Sequence, residues 1–155
     1  YMPIGDTYQG GIIVYILQPG DLDYSALTEK GIIVSASDVS SGVQWYNGSY
    51  GVKTSANDKV VRTGSSNTTK IVTTQGAGSY AAKVCQDLSL NEYSDWQLPS
   101  IEELKILYSA RSLTGTYWSS TEFEAGWNYV RVVSDGQEGS RSKNVTLKVR
   151  AVRYY

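Results

Sequence analysis

The C-terminal third of the chain has the pattern of a half-buried sheet. Residues 127–133 are a β-rich run that places Tyr129, Arg131 and Val133 on one face and Val130 and Val132 on the other. Residues 145–151 alternate apolar with polar side chains, which is the period-two pattern of a half-buried strand. Residues 134–144 between them contain Asp135-Gly136 and no aliphatic side chain, so they are predicted to form a turn-rich connection. The pattern indicates a small rigid framework with a polar and aromatic surface, as in a recognition site rather than a reaction centre.

Apolar runs near the N-terminus predict further strands. Residues 10–17 and 31–35 are continuous and rich in β-branched side chains, which is typical of buried strands, and residues 43–46 predict a short third one. Residues 47–67 are polar and rich in Gly, Ser and Asn. They predict a long surface excursion with one short structured piece at residues 60–61.

Two segments in the middle of the chain have helical spacing. Residues 79–90 predict a first helix that Ser79 can cap. Residues 101–110 predict a second, preceded by the Ser-x-x-Glu capping box of Ser100 and Glu103. Glu102 and Glu103 then lie in the first turn as solvated residues whose negative charge the helix dipole stabilises, not as a catalytic pair.

The order of these elements predicts an α+β fold. Two helices would pack on small antiparallel sheets, and the N-terminal strand would pair near a closing strand at residues 145–152, which brings the termini together. At 155 residues the chain has the length of a single domain.

Composition excludes several classes of function. A net charge of −1 argues against a dedicated nucleic-acid binder. With no histidine and one cysteine, zinc sites and histidine-based catalysis are nearly excluded, and Cys85 is predicted to be a core residue. No apolar run reaches transmembrane length, and no signal peptide is apparent. We therefore expect no enzyme activity, no cofactor, no metal and no direct membrane insertion.

Several separated blocks of sequence resemble a known group of proteins. The blocks are residues 4–11, 95–104, 117–122 and 149–153, with Trp127, Gly136 and Lys143 between the last two. They resemble the DUF1566 and Fibrobacter-major-domain group of C-type-lectin-like domains, which includes variable proteins of diversity-generating retroelements in phages and gut bacteria. The resemblance implies one C-type-lectin-like domain over residues 1–155, of the subgroup similar to formylglycine-generating enzymes, with a variable-type recognition segment at residues 117–153.

The resemblance also implies which residues form the framework and which bind. The framework residues would be Trp96, Tyr117, Trp118 and Trp127. The ligand-binding residues would be those that vary among copies of such proteins: Phe123, Glu124, Asn128, Tyr129, Arg131, Asp135, Gln137, Glu138, Ser140, Arg141, Ser142, Asn144, Thr146 and Lys148. The spacing departs from the usual pattern between Glu122 and Gly136.

The residue types favour binding independently of the resemblance. Phe123 and Tyr129 can act as aromatic anchors, and arginine and lysine donors stand among carboxylates. Calcium-dependent sugar binding is not expected, because no Glu-Pro-Asn triplet occurs and Tyr129 follows Trp127-Asn128. Formylglycine-generating activity needs a cysteine pair, which the chain lacks.

The expected function is that of a non-catalytic receptor or adhesin domain that recognises a protein or a surface glycan. We expect it outside the cell, on a bacterial surface or a phage particle, with its oligomeric state left open. Two alternatives remain: a fixed-sequence adhesin that binds glycans, and a structural module of a surface lipoprotein or phage fibre.

Overall fold

The computed structural model describes residues 3–47, 53–123 and 128–155. Nine strands and three helices are formed within these ranges. In chain order they are β1 (Thr7–Tyr8), β2 (Gly11–Ile16), β3 (Gly31–Val34), β4 (Ser40–Val43), α1 (Gly64–Gln75), α2 (Ala81–Gln86), α3 (Ile101–Ala110), β5 (Thr116–Glu122), β6 (Tyr129–Ser134), β7 (Gln137–Ser142), β8 (Leu147–Val149) and β9 (Val152–Tyr154). The α+β class predicted from the sequence is confirmed.

The strands form two sheets. The first has four strands in the order β1-β2-β3-β9, and the second has five in the order β4-β8-β5-β6-β7. β5 and β8 run parallel, with Tyr117 opposite Lys148. β9 pairs antiparallel with β3, with Val34 opposite Val152, so the first and last strands share one sheet as predicted.

The closing segment is two strands rather than the one predicted at residues 145–152. β8 pairs with β4 and β5 in the second sheet, whereas β9 pairs with β3 in the first. The chain crosses between the sheets at Arg150 and Ala151. The alternation of side chains continues through this crossing, which is why the sequence pattern did not reveal it.

The predicted connection at residues 134–144 was wrong, because it contains strand β7. All six residues of β7 pair with β6, from Tyr129 opposite Ser142 to Ser134 opposite Gln137. Asp135 (φ 51°) and Gly136 (φ 83°) form the two-residue turn between them, and both take the positive φ that a type I′ hairpin requires. β7 is an edge strand, so it needs no aliphatic side chains, and the sequence therefore resembled a loop.

The described residues contain three helices, not the two predicted. α3 is confirmed at Ile101–Ala110 with the Ser100 and Glu103 capping box in place. α2 is shorter than predicted, and its N-cap is Tyr80 rather than Ser79, without a side-chain capping bond. No described helix has both the length and the apolar character needed to cross a bilayer.

Helix α1 was missed because its buried face is mostly polar. Gly64, Asn67, Thr68 and Ile71 recur at helical spacing and are buried, yet only Ile71 is aliphatic. Asn67 donates to the carbonyl of Asp58 (2.8 Å), and Thr68 Oγ1 accepts from the backbone N–H of Leu98 (3.0 Å). These bonds satisfy the buried polar groups. The polar excursion predicted at residues 47–67 therefore leads into a packed helix.

Two smaller predictions also changed. The short strand predicted at residues 43–46 is β4, at Ser40–Val43, and Trp45 and Tyr46 follow it as buried residues. Glu103 is not solvated: it is 1% exposed and accepts from the backbone N–H groups of Ser100 (2.8 Å) and Arg62 (2.9 Å). Burial raises the pKa of the Glu103 carboxyl, although these hydrogen bonds act to lower it.

Apolar side chains pack against both faces of the second sheet. Trp118, Val130 and Val132 belong to one core cluster, together with Trp45. Neighbouring side chains of the same strands, including Tyr117 and Val133, pack in a second cluster with α3. Cys85 is fully buried in the first cluster, as predicted, and burial raises the pKa of its thiol. The middle strands β5 and β6 are thus packed on both faces.

Candidate ligand-binding site

Five of the predicted binding residues come together at one end of the second sheet. The backbone N–H of Phe123, directly after β5, donates to the carbonyl of Tyr129 at the start of β6 (2.9 Å). Tyr129 lies opposite Ser142, whose hydroxyl donates to Asn144 Oδ1 (2.8 Å). Asn128 precedes Tyr129. We call Phe123, Asn128, Tyr129, Ser142 and Asn144 the sheet-end cluster.

The sheet-end cluster presents an aromatic ring and two amides to solvent. Tyr129 is 47% exposed, and Asn128 and Asn144 are exposed as well. The hydroxyl of Tyr46 donates to Asn128 Oδ1 (3.0 Å), so each amide oxygen is held by a neighbouring hydroxyl. Within the described residues the two amide nitrogens donate to no protein group. The cluster therefore offers oriented donors beside an apolar ring.

A buried ion pair lies beneath this cluster. Lys143 is 0% exposed, and its Nζ is 2.6 Å from Glu122 Oε2. The ammonium lies 4.6 Å from the centroid of the Trp45 ring, a cation–π distance. Glu122 also accepts from the backbone N–H groups of Thr54 (2.8 Å) and Ser55 (3.2 Å). Burial lowers the pKa of the Lys143 ammonium, and its hydrogen bond to Glu122 opposes that change.

The backbone of Lys143 links three segments of the site. Its N–H donates to the carbonyl of Asn128 (3.0 Å), and its carbonyl accepts from the N–H groups of Trp45 (3.1 Å) and Tyr46 (3.3 Å). The ion pair then joins these segments to β5 through Glu122. The positions of Asn128 and Asn144 are therefore set by a buried framework rather than by the surface itself.

A second group of predicted residues ties the hairpin to α3. Arg131 forms a close ion pair with Glu138, and its guanidinium lies 5.1 Å from the centroid of the Phe123 ring. Glu138 also pairs with Lys105 of α3 (2.7 Å). Burial alone would raise the pKa of Glu138, but the hydrogen bonds from Lys105 and Arg131 outweigh it and hold the pKa below its usual value. Ser140 lies opposite Arg131 on the same face.

Other predicted residues lie away from the sheet-end cluster. Asp135 and Gln137 are at the hairpin turn, at the opposite end of β6 and β7. Arg141 lies opposite Val130, so it is on the other face of the hairpin from Arg131. The fourteen predicted residues therefore do not share one surface.

The last two predicted residues, Thr146 and Lys148, lie towards the β4 edge of the sheet, away from the sheet-end cluster. Thr146 lies next to Gly42 of β4. Lys148 Nζ is 3.4 Å from the carbonyl of Thr114 and 5.6 Å from the centroid of the Tyr117 ring, at the turn end of β5. Glu124 and Trp127 lie outside the described residues.

The described framework residues are buried, each with its polar atom satisfied. Trp96 Nε1 donates to the carbonyl of Tyr93 (3.1 Å), and Trp118 Nε1 donates to the carbonyl of Val43 (2.7 Å). The hydroxyl of Tyr117 donates to Asp38 Oδ1 (2.7 Å). Burial, followed by this bond to a carboxylate, raises the pKa of Tyr117.

Three residues that act in the site were absent from the predicted set. Tyr46 orients Asn128, Lys105 joins the hairpin to α3, and Lys143 supports the whole cluster. Lys143 entered the sequence analysis only as a matching position of the family pattern. A lysine between a serine and an asparagine gives no sign of burial, so only the three-dimensional pairing with Glu122 reveals its role.

The sheet-end cluster offers groups that are suited to non-covalent contacts. The sheet-end cluster contributes a phenol ring, two amides and a hydroxyl, which can stack on and hydrogen-bond to a polar ligand. Among the described residues, no group of three or more His, Cys, Asp or Glu side chains is arranged to hold a metal ion.

One comparison with known proteins identifies the chain's family. No curated protein matches the sequence. Residues 35–153 match the family described as the Lcl C-terminal domain. This family is related to, but different from, the DUF1566 family suggested by the motifs. The match shows no similarity to the variable proteins of diversity-generating retroelements. It starts directly after β3 and includes all three described helices and the sheet-end cluster, and the chain therefore belongs to the Lcl C-terminal domain family.

Proposed function

We propose that this domain is a non-catalytic receptor or adhesin module, and that the sheet-end cluster is its ligand-binding site. The observation that carries the proposal is the pair of outward-facing amides beside an exposed tyrosine, Asn128 and Asn144 beside Tyr129, above a buried ion pair. Membership of the Lcl C-terminal domain family supports a surface or adhesin-like role.

The energetics of the cluster favour recognition. The tyrosine ring provides contact area with few rotatable bonds, and such residues dominate binding energy at interfaces. The hydroxyls of Tyr46 and Ser142 already hold the two amides, so little side-chain entropy is lost when a ligand binds. A site prepared in this way can bind without rearrangement of the sheet.

We further propose that the fold is C-type-lectin-like and that residues 117–153 form a variable-type recognition segment. The ligand is a protein or a glycan on a cell surface, and the domain acts outside the cell, on a bacterial surface or phage particle. The sequence blocks described above support this assignment. So does the position of the site at strand ends and on an edge strand, where side chains can change without disturbing the core.

Binding assays with matched variants test the site. Arrays of glycans and of bacterial surface proteins would identify a bound ligand, and its affinity would then be measured for Tyr129→Ala and Asn144→Ala. Each variant should weaken binding about tenfold or more, because each removes a central contact. Thr73→Ala, on the exposed side of α1, is the control and should bind like the unaltered domain. Unchanged affinity in both site variants would place the binding site elsewhere.

Sequencing of the surrounding DNA tests the variable-segment proposal separately. A near-identical repeat beside a reverse transcriptase gene, with adenine-directed differences confined to the codons of residues 123–148, is the expected result. An invariant 3′ end without a repeat would contradict it and leave the fixed-sequence adhesin. Burial of Tyr129 against a neighbouring subunit in the parent assembly would instead support the structural-module alternative.

A further inference from the structure

A groove separate from the sheet-end cluster lies beside the first turn of α3. Its volume is about 710 Å³, which is within the range of ligand-binding clefts. It lies between the β2–β3 loop, the segment before α1 and α3. The residues that matter for its chemistry are Tyr15, Asp21, Leu22, Val60, Glu102 and Ile106.

The walls of the groove are apolar and reach the surface. Leu22 is 51% exposed and Val60 is 55% exposed, although both are aliphatic. Ile106 of α3 adds a third aliphatic wall and is itself packed against the second core cluster. Exposed aliphatic side chains gathered around a concave surface are typical of binding sites. An aliphatic chain laid along these three residues would remove apolar surface from water.

The groove also contains a fixed carboxylate. Asp21, Glu102 and Lys59 line it, and Glu102 pairs with Lys105 of α3 (3.4 Å), so Asp21 is the carboxylate that matters here. Asp21 Oδ2 accepts from the hydroxyl of Tyr15 (2.7 Å) and from the backbone N–H of Gln18 (2.7 Å), which fixes the direction of the carboxylate. Burial, and then the bond to Asp21, raises the pKa of Tyr15 to about 12, so Tyr15 remains the donor. Asp21 has no ion-pair partner among the described residues.

We propose that this groove binds a basic peptide segment of a partner protein. The methylene stem of a lysine or arginine side chain lies on Leu22, Val60 and Ile106, and its cation meets the carboxylate of Asp21. Lysine and arginine are the side chains that combine an aliphatic stem with a charged end, so they match an apolar wall next to a fixed carboxylate. This proposal does not depend on the function proposed for the sheet-end cluster.

Methyl-detected NMR titration with two short peptides tests the proposal. The probes are acetyl-Leu-Arg-Leu-amide and acetyl-Leu-Glu-Leu-amide. The basic peptide should give saturable shifts at the methyl groups of Leu22, Val60 and Ile106, and the acidic peptide should not. Asp21→Asn keeps an acceptor for Tyr15 and Gln18 but removes the charge, and should weaken binding of the basic peptide about tenfold.

Two further variants make the result decisive. Leu22→Ser, at an exposed position, should also weaken binding. Asp6→Asn makes the same charge change at an exposed position outside the groove and should leave the affinity unchanged. Equal binding of both peptides, full affinity in Asp21→Asn, or no saturable shifts at the groove would each overturn the proposal. Concentration-dependent shifts of the groove methyls without peptide would show that a second copy of the chain occupies the groove, and would overturn it too.

Discussion

The buried ion pair between Lys143 and Glu122 gives the sharpest test of how the candidate site is supported. In Lys143→Met, the apolar stem still packs near Trp45, but the Glu122 carboxylate loses its cation. Glu122 is 3% exposed, so water cannot replace the missing charge. Removal of one partner from a buried pair typically costs about 3–5 kcal/mol. Since Thr54 and Ser55 still donate to Glu122, we expect the lower end, about 3 kcal/mol.

The double variant separates the charge from the packing. In Glu122→Gln with Lys143→Met, no buried charge remains. A glutamine oxygen can accept from one of the two backbone N–H groups, but its amide nitrogen faces the other. One unsatisfied buried donor costs roughly 1–3 kcal/mol, so the double variant should lose only about 1.5 kcal/mol. The two substitutions should therefore be coupled by more than about 1 kcal/mol.

Urea unfolding followed by tryptophan fluorescence measures these differences. Lys70→Met is the matched control, because Lys70 is 43% exposed and its ion pair with Asp58 is long, at 3.8 Å. It should change the free energy of unfolding by less than about 0.5 kcal/mol. A loss below about 1 kcal/mol in Lys143→Met, or a double variant as unstable as that single variant, would refute the reasoning.

Three further predictions concern the hairpin, α3 and acid stability. Gly136→Ala should lower the free energy of unfolding by about 1–2 kcal/mol, because alanine is strained at the φ of +83° that Gly136 adopts. No atom lies near the added Cβ, so this strain is the expected cost, and an unchanged urea midpoint would contradict it. Ser100→Ala should cost about 1–2 kcal/mol in the same assay, since Ser100 caps α3 and also donates to Val60 (2.9 Å); a loss below about 0.5 kcal/mol would count against it. The hydrogen bond from Arg153 holds the pKa of the Asp95 carboxyl below its ordinary value, so this stabilisation is fully present above that ordinary value and is lost as pH falls through the lower folded-state pKa. The difference in urea midpoint between Asp95→Asn and the unaltered domain should thus shrink from pH 7 to about pH 3, and a constant difference would exclude this linkage.

The sequence predicted those elements in which the periodicity of hydrophobic side chains matches the side chains that are buried. β2 and β3 are continuous β-branched runs with buried side chains, and α3 has both an apolar stripe and a capping box. In each of these the local propensity and the tertiary environment agree, so hydrophobic periodicity is sufficient.

The errors arose where burial does not follow hydrophobicity. The buried face of α1 contains Asn67 and Thr68, whose hydrogen bonds to distant backbone groups cannot be read from one sequence. β7 pairs with β6 along its whole length but buries none of its side chains, so its sequence carries no strand pattern.

The geometry of the candidate site could be predicted only in part for the same reason. The family pattern suggested the segment, but the division of Arg131 and Arg141 between opposite faces depends on the register of β6 and β7. Lys105 and Tyr46 are distant in sequence from that segment, and they reach it only through tertiary packing.

The composition of β7 has a consequence for how readily this domain can change. None of the six side chains from Gln137 to Ser142 is buried. The ladder with β6 and the Asp135-Gly136 turn hold the strand, and Glu138 adds ion pairs with Arg131 and Lys105. Folding therefore sets few constraints on which side chains stand there, because the backbone makes the same hydrogen bonds whatever they are. Many sequences can occupy this edge at little loss of stability, so new surfaces can be sampled by mutation or in a designed library while the scaffold stays constant.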